Sequence, residues 1–116
     1  MAASASLTLS GTITGLAGGS ETVSLTLTNS SASGAVTTTA LASGANTISV
    51  PTGALWCIVV PPSGNTTALT LKGNGADTGV GLHPSQASIL ALANGTTSFI
   101  VSAAATMSSP TTFQFV

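Results

Sequence analysis

The sequence predicts an all-β protein: one small antiparallel β-sandwich, jelly-roll or immunoglobulin-like, of about eight to ten short strands. Three observations predict it. Apolar residues alternate with Ser and Thr at a period of two, not 3.6. Clusters of Gly, Asn and Pro interrupt the alternation about every 8–12 residues. The chain has 116 residues, 43% of them hydrophobic, which supplies one core and leaves no room for a second domain.

The first strand is carried by Leu7, Leu9 and Ile13, which alternate with Thr8, Ser10, Thr12 and Thr14. Thr suits the wet face because its β-branch fits a pleated surface. Residues 1–6 precede this pattern and are expected to form a flexible arm that orders on a partner, leaving 7–116 as the sandwich. Gly15 to Ser20 reads as a hairpin turn into a second strand, where Val23, Leu25 and Leu27 alternate with Thr22, Ser24, Thr26 and Thr28. Ile48 and Val50 mark a further strand before Pro51.

The run Leu55 to Val60 is apolar on both faces. It therefore belongs at the centre of a sheet, or with its outer face against a partner subunit. Pro61-Pro62-Ser63-Gly64-Asn65 separates it from a strand in which Leu69 and Leu71 alternate with Thr70 and Lys72. Ser85 to Ala93 is Ala-rich and could be a short helix capped by Gly95. Strand is preferred, because Asn94-Gly95 stands between Leu90-Ala91-Leu92 and Ser98-Phe99-Ile100-Val101 as a hairpin signal. Phe99 and Val101 share a face, as do Phe113 and Phe115. The ending Phe113-Gln114-Phe115-Val116 reads as a strand that pairs in its own sheet or with a neighbour.

Only Glu21, Lys72 and Asp77 carry formal charge, whereas a soluble domain is typically about one quarter charged. A surface of Ser, Thr and Asn is wetted but does not repel other copies. The composition therefore points to a life fixed in an assembly. One Lys and no Arg cannot make the several phosphate contacts that nucleic acid requires, nor the basic patch that an anionic membrane requires. The three charges are expected to form at most one exposed ion pair, worth less than about 1 kcal/mol.

The N-terminus lacks the basic residue and apolar stretch of a signal peptide. The longest wholly apolar run, Ala54 to Val60, is seven residues, too short to span a bilayer. The chain is accordingly expected to be complete, made in a cytoplasm and not exported. Sequons at Asn29, Asn65 and Asn94 carry little weight in a chain so rich in Ser and Thr.

Chemistry-bearing residues are few. Cys57 is alone, lies within the apolar run and has no electropositive sequence neighbour, so it reads as a small buried hydrophobe. Asp77-Thr78-Gly79 matches the aspartic-protease triplet, whose chemistry needs two carboxylates sharing a proton. That family places the triplet early, after an apolar strand. Here Gly73-Asn74-Gly75-Ala76 precedes it and 37 residues follow Gly79, so Asp77 reads as a turn residue bonded to local backbone. Ser85, His83 and Asp77 name the members of a nucleophilic triad but lack a nucleophile elbow. A metal site needs three or four ligands, and one His, one Cys and two acids leave only a site shared through His83 on a symmetry axis. Otherwise His83 reads as a loop imidazole bonded to backbone. The Thr12/Thr14 and Thr26/Thr28 pairs lack the regular array of an ice-binding face and read as wet strand faces.

No catalytic, cofactor or metal site is expected, and the chain reads as a non-enzyme. The interface candidates are Trp56, His83, Phe113, Phe115 and Val116. A lone strand Trp is most often core, but Trp56 is also the side chain best suited to anchor a contact.

The stretch Leu69-Thr70-Leu71-Lys72-Gly73 through Gly79-Val80-Gly81-Leu82-His83-Pro84, then Ile89-Leu90-Ala91-Leu92 and Ser98-Phe99-Ile100-Val101, resembles small virion structural proteins of tailed bacteriophages. The likeness covers roughly residues 54–105. It implies a small β-sandwich, often trimeric, that decorates or cements a capsid or forms part of a tail or neck. The expected function is thus a capsid decoration or cement protein, located in the virion. It would bind the capsid surface as a homotrimer, its partners being itself and the major capsid protein or another virion protein. The alternative is a host-surface or glycan-binding module of a phage fibre, tail, neck or adhesin. Ser/Thr/Asn-rich loops can bind sugars, but such sites usually stack an exposed ring, and only Trp56 and three Phe are present.

Overall fold

The computed structural model describes residues 3–31 and 34–116, and these hold ten strands and no helix. In chain order they are β1 (Ala3–Leu16), β2 (Gly19–Ser31), β3 (Ala35–Thr39), β4 (Gly44–Ser49), β5 (Trp56–Val60), β6 (Leu69–Lys72), β7 (Val80–Leu82), β8 (Ser88–Ala91), β9 (Ser98–Ala103) and β10 (Thr111–Phe115). The protein is all-β, and two antiparallel four-stranded sheets form a small sandwich.

The strand order identifies the sandwich type. One sheet runs β3-β10-β5-β8 and the other β4-β9-β6-β7. The antiparallel pairs β3·β10, β4·β9, β5·β8 and β6·β7 are nested. The chain from β3 to β10 is therefore one long hairpin folded over on itself. Two further pairings, β10·β5 and β6·β9, complete the sheets. This is the jelly-roll order, built from two Greek keys.

Alternation decides which residues enter the core. Cys57 and Val59 of β5, Phe113 and Phe115 of β10, and Phe99 and Val101 of β9 all point between the sheets. Leu41, Ile48, Val50, Ala54, Leu69, Ala103 and Met107 complete the buried cluster, with Leu71, Leu82, Leu90 and Leu92 packed against it. Phe99 stands across the sandwich from the other two rings. Its centroid is 6.3 Å from Phe113 and 6.4 Å from Phe115, tilted at 58° and 52°. Such edge-oriented pairs add to their area burial. Thr111 is also fully buried, and its hydroxyl has no hydrogen-bond partner.

The apolar run at β5 lies at the interior of its sheet, between β10 and β8, as its two-sided hydrophobicity predicts. The C-terminus pairs within its own sheet. The Val116 N–H donates to Trp56 O at 3.1 Å, and the N–H groups of Leu55 and Trp56 both donate to Val116 O at 2.9 Å.

Three expectations are corrected. The arm expected over residues 1–6 is, from Ala3 onward, paired strand: Ala3 lies opposite Ser31 and Ser6 opposite Thr28. Ala3 and Ala5 stay in phase with Leu7 but are too small to show the period. Residues 1 and 2 fall outside the described residues. The sandwich, moreover, begins at β3, because β1 and β2 pair only with each other as a separate two-stranded sheet. Finally, Asn94-Gly95 makes a turn but no hairpin. Gly95 takes φ +85°, and Thr96 N–H donates to Ala93 O at 3.0 Å. The strands on either side belong to different sheets, so the turn carries the chain across the sandwich.

The β1–β2 hairpin itself forms as expected. Leu16 lies opposite Gly19 across Ala17-Gly18, and Gly15 at φ +79° takes up the register shift after Ile13.

Replacing Phe113 with Ala should destabilise the fold by about 3–5 kcal/mol, the range for a buried ring. Urea unfolding of the variant checks it, and a loss under about 1 kcal/mol would contradict the assigned core. Thr111→Val should be neutral or stabilising by about 1–2 kcal/mol, since it removes a buried hydroxyl that bonds nothing. A lower urea midpoint for that variant would mean that the hydroxyl has a partner.

Candidate functional site

The titratable groups are dispersed and locally bonded. Asp77 sits in the β6–β7 turn, where Asn74 N–H donates to its Oδ2 at 2.8 Å and its own N–H donates to Asn74 O at 3.2 Å. This is the turn role read from the sequence. Glu21 lies on the separate hairpin, opposite Ile13. The triplet's Gly79 is there for backbone reasons. It takes φ +80°, and a Cβ there would collide with Leu71 O.

His83 is exposed, and its Nδ1 accepts from the backbone N–H groups of Ser85 at 3.2 Å and Gln86 at 3.1 Å. In a Ser-His-Asp system that nitrogen would instead donate to the acid. Ser85, His83 and Asp77 therefore do not assemble as a triad. Among the described residues no three of His, Cys, Asp and Glu gather as a metal-binding group. Cys57 is wholly buried, and desolvation pushes its thiol up to about 12. It is held as the neutral S–H, not the nucleophilic thiolate.

The candidate interface residues divide. Phe113 and Phe115 are 0% and 2% exposed, so within one subunit they are core and offer no surface to a partner. That corrects their expected place, and the cause is the phase of β10, which turns both rings inward. Trp56 and Val116 point the other way, onto the outer face of the β3-β10-β5-β8 sheet, and both are half-buried.

That outer face is the most coherent surface of the sandwich. The register sets Val36, Gln114, Ile58 and Ile89 in one row across all four strands. Val36 is 69% exposed and Ile89 43%. Thr38, Thr112 and Val60 form the neighbouring row, and Trp56 lies opposite Ala91 beyond Ile58. None of these residues is charged. The Trp56 Nε1–H is buried without a hydrogen-bond partner. Sequence reading misses Val36 because it is a lone apolar residue among Ala and Thr, and misses the outward turn of Ile89 because it stands in the apolar segment Ile89-Leu90-Ala91-Leu92.

A second, polar feature lies between the Pro62–Thr67 and Thr106–Ser109 loops. This open groove of about 260 Å³ is lined by hydroxyls, slightly below the roughly 300–1,000 Å³ of small-molecule sites. Asn65 serves the loop itself. Its Nδ2 donates to Pro84 O at 2.7 Å and Thr67 O at 3.0 Å, and its Oδ1 accepts from Thr67 N–H at 3.1 Å.

No family model, curated protein or solved structure matches this chain. The functional reading therefore rests on its own residues.

Cys57 should resist a thiol-reactive reagent at pH 8 in the native protein and react fully once guanidinium unfolds it. Rapid modification of the folded protein would contradict its burial.

Proposed function

We propose that this chain is a non-enzymatic virion structural protein. It is a bacteriophage capsid decoration or cement protein that binds the capsid surface as a homotrimer and stabilises it. One observation carries the reading: 116 residues hold three charges, and the broad outer sheet face holds none. A face of that kind contributes little to dispersing a free protein but loses little solvation when covered. Binding would use shape complementarity and apolar burial around Trp56, Ile58 and Val36, with backbone bonds at exposed strand edges and almost no electrostatic steering. The phage-like stretch and the jelly-roll order both agree with a virion role, although fold alone assigns none.

The jelly-roll order also serves lectins, which keeps the host-surface or glycan-binding reading in second place. The hydroxyl-lined groove favours it. The absence of an aromatic ring from the groove lining counts against it.

Light scattering at low and high salt, joined to co-sedimentation with capsids of its own phage, tests the proposal. The expected result is a trimer of the 11.1 kDa chain that persists at both ionic strengths, because few charges exist to screen, and that pellets with capsids. A stable monomer that ignores capsids would sink it. A shift in Trp56 fluorescence on adding host polysaccharide would then promote the glycan-binding reading.

A further inference from the structure

The β1–β2 hairpin has no sandwich role. It is a sheet of its own, 14 residues paired with 13. Among the described residues a side-chain bond, Asn29 Nδ2 to Gly53 O at 3.5 Å, ties it to the sandwich. A two-stranded hairpin alone is marginal in water and needs a further layer on its apolar face.

Between Asn29 and Glu21 its two faces differ in kind. The register sets Ser6 opposite Thr28, Thr8 opposite Thr26, Ser10 opposite Ser24 and Thr12 opposite Thr22. All eight of these are exposed. The intervening positions pair Leu7 with Leu27, Leu9 with Leu25 and Gly11 with Val23, before Ile13 meets Glu21 near the turn. Ile13 is 48% exposed. The hairpin thus shows the half-wet pattern of a strand pair whose other face is covered.

We propose that this hairpin is an oligomerisation arm whose apolar face packs against the apolar faces of the other copies of this chain around the axis of the homo-oligomer. Charge, relief and area point to a like face. Between the strand ends and Ile13 the apolar face holds no charge, so it offers a charged partner no handle and meets no repulsion from itself. The face also carries its own complement. A Cβ built on Gly11 would meet nothing within 4 Å, and Gly11, Ile13 and Val23 help line an open apolar hollow. The Leu9–Leu25 pair lies one step along the same face. Half-exposed Ile13 beside the open space at Gly11 lets copies interdigitate. Twelve register pairs, at about 3.3 Å per residue and two strands about 4.8 Å apart, give the whole hairpin face, its polar ends included, a footprint of roughly 400 Å². Two facing copies cover about 800 Å² before side-chain relief is added, near the lower bound of roughly 1,000 Å² for a specific interface.

The inference rests on the homo-oligomeric part of the proposed function and not on its capsid part. Cysteine cross-linking tests it, since buried Cys57 leaves an introduced thiol as the only reactive one. Val23→Cys should form disulfide-linked dimers under mild oxidation at least tenfold faster than Thr22→Cys, which lies on the Ser/Thr face. Equal rates, or no cross-link at Val23→Cys, would overturn the inference. Val23→Asp should reduce the native mass to that of a single chain while Trp56 emission stays native. If Val23→Asp keeps the wild-type mass, the arm is not the contact and the homotrimer reading survives. A monomeric wild type that still pellets with capsids overturns the arm and leaves the capsid reading intact. A face-specific cross-link in a protein that ignores capsids supports the arm and removes the capsid reading.

Discussion

The sandwich depends on three phenyl rings meeting across it. Phe99 rises from one sheet, and Phe113 and Phe115 descend from the other. Apart from Trp56 the chain has no other aromatic residue, so no second cluster can take over. These rings hold β9 over β10, strands next to each other in sequence but placed in different sheets. The nested pairing then follows. With β10 between β3 and β5, and β9 between β4 and β6, the remaining strands have only the outer positions left. Most of these pairings join distant parts of the chain, so loop-closure entropy is paid before burial returns it.

With electrostatics nearly absent, burial and backbone hydrogen bonds supply the stability. Cys57, the one titratable group in the core, is held neutral by the same burial that makes it inert. Asp77 and His83 are bonded to local backbone and organise turns. Polar chemistry here shapes loops, as Asn65 does.

Period-two alternation made strand content legible, the two-sided apolar run made the central place of β5 legible, and the Gly-rich context did so for the turn role of Asp77, because each is a local consequence of residue type. What escaped was partnership. Asn94-Gly95 has the same turn chemistry whether the chain returns to its own sheet or crosses to the facing one, and only the core decides. Ala3 and Ala5 continue the pattern of Leu7 without the bulk to announce it. Phe113 and Phe115 were correctly placed on one face, but alternation does not say which face is covered by the protein's own second sheet. Trp56, on the opposite phase of an adjacent strand, turns outward instead. Jelly-roll and immunoglobulin-like orders use the same strands, so the choice between them lay in pairing alone.

The two faces of β5 state the remaining argument most sharply. Cys57 and Val59 point into a core that the molecule completes itself, while Trp56, Ile58 and Val60 point onto a face that it covers only in part. A free protein normally keeps such a face polar, and Thr on the same strand positions would suit the pleat equally well, as Thr38 and Thr112 show beside it. Val36 and Ile89 are exposed and Ile58 is only partly buried, so all three leave apolar surface that the subunit itself does not cover. The Trp56 indole N–H adds an unpaired buried donor, which lowers stability. Apolar residues set in register across four strands and left uncharged are what the proposed contact beyond the subunit would cover.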